Sequence, residues 1–218
     1  MNDAAAFLSQ PKIGSPVDLL IALFVLSLVP VLAVSVTSFT RIVVVLSLLR
    51  ASLGTSSLPP NSVIMALSVM LTAAIMAPTA TRIDQQAVRP YLAHRLSASA
   101  SLQRAAEPLQ RFMARQTRPS DVRAFARIAR LQLSPAAQTP LTVLAPAFLV
   151  SELRTAFAMG FALALPFAVI DIVVAIVLMS LGMFMVSPGS ISLPIKLLLF
   201  VVADGWSLVA GALAASFH

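Results

Sequence analysis

Long runs without a single charged side chain decide what this chain can become, among them residues 19–40, 155–170 and 172–195. Hydrophobic residues make up 59% of the 218 positions and charged residues 11%. A soluble domain carries about 45–50% and about 25%. Such a chain has too little polar surface for a soluble monomer, so a soluble enzyme is excluded. Roughly 20 apolar residues in a helix, each rising about 1.5 Å, cross a hydrocarbon core. The chain therefore reads as all-α, with four predicted hydrophobic spans over about 17–37, 62–80, 155–180 and 191–214. Three consecutive segments follow: an N-terminal helical hairpin over 1–80, a basic helical insert over 81–138, and C-terminal helices over 139–218.

Proline and glycine punctuate this pattern. Pro30 is expected to kink the first span, and Gly54 with Pro59-Pro60 marks a turn. Asn61 is placed to cap the second span. Pro166, Gly182 and Pro188-Gly189 are expected to interrupt the long apolar stretch after Thr139-Pro140. Met1 to Pro16 is short and polar, without a basic n-region or a small-residue cleavage site, so no cleavable signal peptide is expected. No internal repeat is evident.

Charge is concentrated in one place. Residues 82–130 hold ten Arg against Asp84, Glu107 and Asp121, a net +7, and the rest of the chain balances five basic against five acidic residues. Few aromatics accompany these Arg and no nucleic-acid motif is present, so nucleic acid is not an expected partner. Pro90, Pro108, Pro119 and Pro135 divide the insert into short helices. Arg111, Arg115 and Arg118 repeat at i, i+4, i+7, as do Arg123, Arg127 and Arg130, so each trio lines one helix face. Val122, Phe125, Ala129 and Leu133 take the other side of the second helix, and Ser120 is its expected cap. The Arg faces read as solvated, with docking to proteins or lipid headgroups as the alternative.

No catalytic constellation, nucleotide loop or metal motif emerges. With Cys at 0 and only His94 and His218, neither a metal nor another cofactor is expected. The informative residues are isolated charges in apolar sequence, which are costly in lipid and mark pathways, ion pairs or subunit contacts. Glu152, Asp171 and Lys196 have no good neighbour along the chain and are predicted to make contacts at subunit boundaries. Pairing within one chain and proton relay through Asp171 and Glu152 are the alternatives. A second unusual cluster is Met179, Met183, Phe184 and Met185, beside Gly182 and ahead of Pro188-Gly189. It reads either as packing in a membrane helix or as a deformable apolar constriction, for which unbranched Met is suited.

The stretch Thr37–Arg50 (TSFTRIVVVLSLLR), followed by Leu53-Gly54-Thr55 and Pro59-Pro60-Asn61, resembles the first signature of the FliP/YscR/SctR family. A second match runs through Ser151–Phe157 (SELRTAF), Pro166-Phe167, Ile170-Asp171, Leu178-Met179 and Gly182-Met183. It continues in Met185-Val186, Leu193-Pro194, Lys196-Leu197 and Asp204-Gly205-Trp206. The resemblance spans 37–80 and 139–217 and does not reach the insert. It implies a core subunit of the export gate of a type III secretion system. Such a subunit is non-enzymatic and lies in the bacterial inner membrane among its lipids. It oligomerises, typically as a pentamer, with FliQ/SctS-like and FliR/SctT-like subunits around a passage for unfolded proteins. The family's gasket maps to Met183, Phe184 and Met185. Where flagellar members often carry three Met, Phe184 keeps the site apolar but stiffer. The expected lack of a signal peptide points to an injectisome member. A flagellar subunit and a proton-coupled small-solute transporter are the rival readings. The ten Arg place the insert in the cytoplasm by the positive-inside rule, whereas the resemblance places it on the periplasmic side, the assignment adopted here.

Overall fold

The computed structural model describes residues 16–55, 58–131 and 139–217, and among these it contains helices and no strand. In chain order the helices are α1 (Pro16–Ser35), α2 (Phe39–Ser52) and α3 (Asn61–Ile83), the last prolonged by a π-helical turn (Asp84–Val88). Then come α4 (Arg89–Leu92), α5 (Ala98–Gln116), α6 (Pro119–Ile128), α7 (Leu141–Ser180), α8 (Pro188–Val202) and α9 (Gly205–Ala215). Of the expected features, Met1 to Ser15, Leu133, Pro135 and His218 lie outside the described residues.

Two helices are long and apolar enough to cross a membrane, Asn61–Leu92 and Leu141–Ser180. The pair α8 and α9 passes the same test together, bent by 65°. Among the described residues these elements cover the expected stretches 62–80, 155–180 and 191–214, and they do not establish the count of four. α7 is the largest departure, with 40 residues where a span of 155–180 was expected. It runs unbroken through Pro146 and Pro166. A proline removes one donor from the ladder, and a long apolar helix tolerates this when surrounding groups compensate. Pro30 and Pro108 likewise lie inside helices rather than ending them.

The chain forms two compact units, each drawn from two separate stretches. The first comprises Met1–Ser38 and Met76–Ser151, the second Phe39–Ile75 and Glu152–His218. In the first, Phe112 and Met113 of α5 and Val143, Leu144, Ala147 and Phe148 at the start of α7 are all nearly or fully buried. The Phe112 and Phe148 rings meet edge to face at 5.9 Å. Of the face predicted for α6, Val122 is buried together with Ala126, but Ala129 is exposed because it follows the last helical turn.

In the second unit, α2 forms despite the β-branched run Ile42–Val45 because its apolar residues fall on one stripe. Ile42, Val45, Leu46, Leu49 and Leu53 share that stripe and enter one core with Ile64, Ala156, Phe167, Phe200, Val209 and Leu213. The hydroxyls in these helices bond back to carbonyls one turn earlier, as Ser47 does to Val43 and the fully buried Ser68 to Ile64, both at 2.7 Å. Contact between α2 and α7 is set by Gly160. A methyl group there would lie 2.4 Å from Leu48 Cδ1 and 2.9 Å from its Cβ. Gly160→Ala should therefore overpack this contact and destabilise the chain by about 1–3 kcal/mol. Thermal unfolding in detergent should show the loss, and Leu48→Ala in the same chain should recover only part of it, because the Cβ at 2.9 Å remains.

Candidate functional site

The Met-containing segment is a short loop between two well-terminated helices. α7 stops at Gly182, whose φ of +73° is open to glycine and strained for other residues. The Gly182 N–H donates to the Met179 carbonyl at 3.1 Å and the Met183 N–H to that of Leu178 at 2.9 Å. These are the paired bonds of a Schellman stop, which satisfy the last carbonyls of α7. α8 starts with extended Ser187 at its N-cap and Pro188 in its first turn. The residues between point outward: Met183 is 42% exposed, Phe184 80% and Met185 101%. An apolar cluster left this bare marks a surface meant to be covered by something else.

Isolated charges elsewhere in the second unit find partners far along the chain. Glu152, fully buried on α7, receives two bonds from Arg41 of α2: Nε donates to Oε2 at 2.8 Å, and Nη2 to Oε1. The third Arg41 nitrogen, Nη1, donates to the Ser216 carbonyl at 2.8 Å and bonds its hydroxyl at 2.9 Å. The Arg41 guanidinium also stacks 3.8 Å from the Phe217 ring centre. Lys196 of α8 donates to Asp171 Oδ2 of α7 at 2.6 Å and to the Ser52 carbonyl ending α2 at 3.1 Å. Ser192 donates to the other Asp171 oxygen at 2.6 Å. Glu152, Asp171 and Lys196, without good neighbours along the chain, thus find partners in distant parts of it, as the alternative of pairing within one chain has it. Asp171 and Lys196 are brought together, while Glu152 belongs to a separate cluster.

Arg41, Ser52, Ser192 and Ser216 were missed as members of these clusters. The one signal for them was the balance of five basic against five acidic residues outside the insert. It announces pairing without naming the pairs.

In the first unit, Ser151 occupies the corner between α5 and α6. Its hydroxyl donates to Asp121 at 2.6 Å and accepts the Arg118 N–H at 3.0 Å. Arg118 is the N-cap of α6 and Pro119 takes its first turn, so Ser120 is not the cap. Asn61 is likewise drawn elsewhere, its carbonyl oxygen accepting from Arg50. The Arg faces of α5 and α6 are exposed at Arg111, Arg115, Arg123 and Arg127, and Arg111 pairs with Glu107 at 3.2 Å. Among the described residues, no three His, Cys, Asp or Glu side chains gather as a metal site would require.

The FliP family model matches residues 22–213, spanning the loop, both ion pairs and the insert. The chain belongs to the FliP family. Three relatives are named flagellar biosynthetic protein FliP. That of Pectobacterium carotovorum subsp. carotovorum is 47% identical over 93% of this chain and 79% of its own. That of Bacillus subtilis is 45% identical over 96% of both chains. That of Aquifex aeolicus is 46% identical over 94% of this chain and 88% of its own.

The Arg41–Glu152 pair yields a direct expectation. Removing one member of a buried pair strands the other charge and costs about 3–5 kcal/mol, whereas replacing both by apolar residues of similar size is often neutral. Glu152→Leu or Arg41→Met alone should sharply lower folded protein recovered in detergent, as read by size-exclusion chromatography. The double substitution should recover most of it.

Proposed function

We infer that this chain is a FliP-type subunit of a type III protein export gate, of the flagellar kind, in the bacterial inner membrane. The observation carrying this reading is the bare apolar loop Met183–Met185 on a rigid helical support, in a chain of the FliP family. When copies converge, each side chain of the loop becomes a ring. An apolar ring excludes water and ions while idle, and flexible Met side chains yield to a passing chain at little energetic cost. The partners are further copies of this chain together with FliQ-like and FliR-like subunits, and the substrates are unfolded proteins. The chain itself is not an enzyme, so energy enters from elsewhere.

The relatives' flagellar names favour the flagellar assignment over the injectisome one first expected from the sequence. A proton-coupled transporter is disfavoured, because the carboxylates it would use, Glu152 and Asp171, are held by Arg41 and Lys196. The decisive experiment is expression in a flagellated bacterium lacking its own FliP, and in parallel in one lacking its injectisome homologue. Swimming restored only in the first host supports the flagellar reading, and secretion restored only in the second overturns it.

Two further outcomes follow from the gate. Met183→Ala with Met185→Ala should leave assembly intact and make cells leaky to small solutes. An assembled double variant as tight as the parent would place the seal in another subunit. The insert is assigned to the periplasmic side despite its Arg, so a phosphatase fused near Arg104 should be active. Activity confined to cytoplasmic reporters at the same position would reverse that assignment.

A further inference from the structure

The loop Gly182–Ser187 has apolar side chains that are largely bare, so its position must be imposed from its two ends. On the α7 side, Asp171 lies about three turns before Gly182, and on the α8 side Lys196 lies about two turns after Pro188. Their ion pair at 2.6 Å joins the two helices that carry the loop. Ser192 adds a second tie from α8 to the same carboxylate at 2.6 Å. Lys196 is further anchored on the Ser52 carbonyl at the end of α2, where the helix dipole favours a cation. Its side chain is 5% exposed, whereas that of Asp171 is 47% exposed. One half of the pair is thus fixed in the core, and the other is open to water beside a pocket lined by Gly54, Pro188 and Gly189.

We propose that Asp171 and Lys196 are the positioning pair of the export-gate loop, a latch that holds α8 against α7 and so fixes where Met183, Phe184 and Met185 sit. The proposal rests on the gate reading for its purpose, but the geometry it asserts is a property of the single chain. Detaching Asp171 leaves Lys196 anchored on α2 and frees the loop-proximal ends of α7 and α8 from each other, beyond the Phe167–Phe200 ring contact at 6.4 Å. The loop between them then loses its single position while each helix keeps its own backbone bonds. The half-exposed carboxylate makes this the detachable side of the latch.

The absence of Cys from the chain makes the test direct. Spin labels are placed at Met185→Cys and Val63→Cys, both exposed positions, and their separation is measured by pulsed electron resonance on the full chain in lipid nanodiscs. The parent should give one narrow distance peak. Asp171→Asn with Lys196→Met removes both charges and strands neither, so the helical content and thermal transition should stay near parental while the narrow peak is lost. Asp171→Ala with Lys196→Met, which also removes the Ser192 tie, is the second variant and is likewise expected to lose the peak. A narrow peak at the parental distance in either folded variant overturns the proposal. Failure of the gate reading is seen separately: the parent chain would not restore motility, whatever the distances do.

Discussion

The arrangement of the second unit depends on one buried cation. Arg41 spends every nitrogen of its guanidinium on a fixed partner, two on Glu152 and one on Ser216, and lays its face against Phe217. An ionised side chain in an apolar core is tolerable only when its hydrogen bonds are complete. That requirement draws the start of α2, the first third of α7 and the residues after α9 to a common point. Apolar stripes alone are poor at this, since Leu, Val and Ile in lipid gain little by choosing one neighbour over another. The pair supplies register where hydrophobicity supplies only attraction.

A second ion pair does a related job nearer the loop. Lys196 reaches from α8 to α7 and to the end of α2. The two charge clusters divide the unit between them, one tying its termini and the other the helices flanking Met183–Met185. Ser151 performs the corresponding task in the first unit with a hydroxyl instead of a charge, closing the α5–α6 corner through Asp121 and the Arg118 N–H. Ser151 and Glu152 are adjacent on α7 and both are fully buried. Each therefore serves a different unit from successive positions of one helix.

The loop itself is held by local rules. Gly182 supplies the left-handed residue that ends α7, and Pro188 starts α8 without wasting a donor. Between them the chain presents Met, Phe and Met without covering them. A single chain leaves this surface uncovered, in keeping with the export-gate role proposed for it.

Much was legible in the sequence because it depends on short-range chemistry. The all-α class follows from charge-free runs, whose backbone can satisfy itself in lipid only by helix formation. The stop at Gly182 and the start at Pro188 follow from residue conformation, and the solvated Arg faces follow from helical spacing. The extent of α7 was misjudged because proline is a weak breaker inside a long apolar helix, and Pro146 let it begin well before the expected span. Which charges pair was decided only in three dimensions. Arg41 and Glu152 stand far apart in the chain, as do Asp171 and Lys196, and nothing in their spacing singles out one partner from another. A buried charge accepts whichever opposite charge the packing delivers with the right geometry, and that delivery is set by the whole fold.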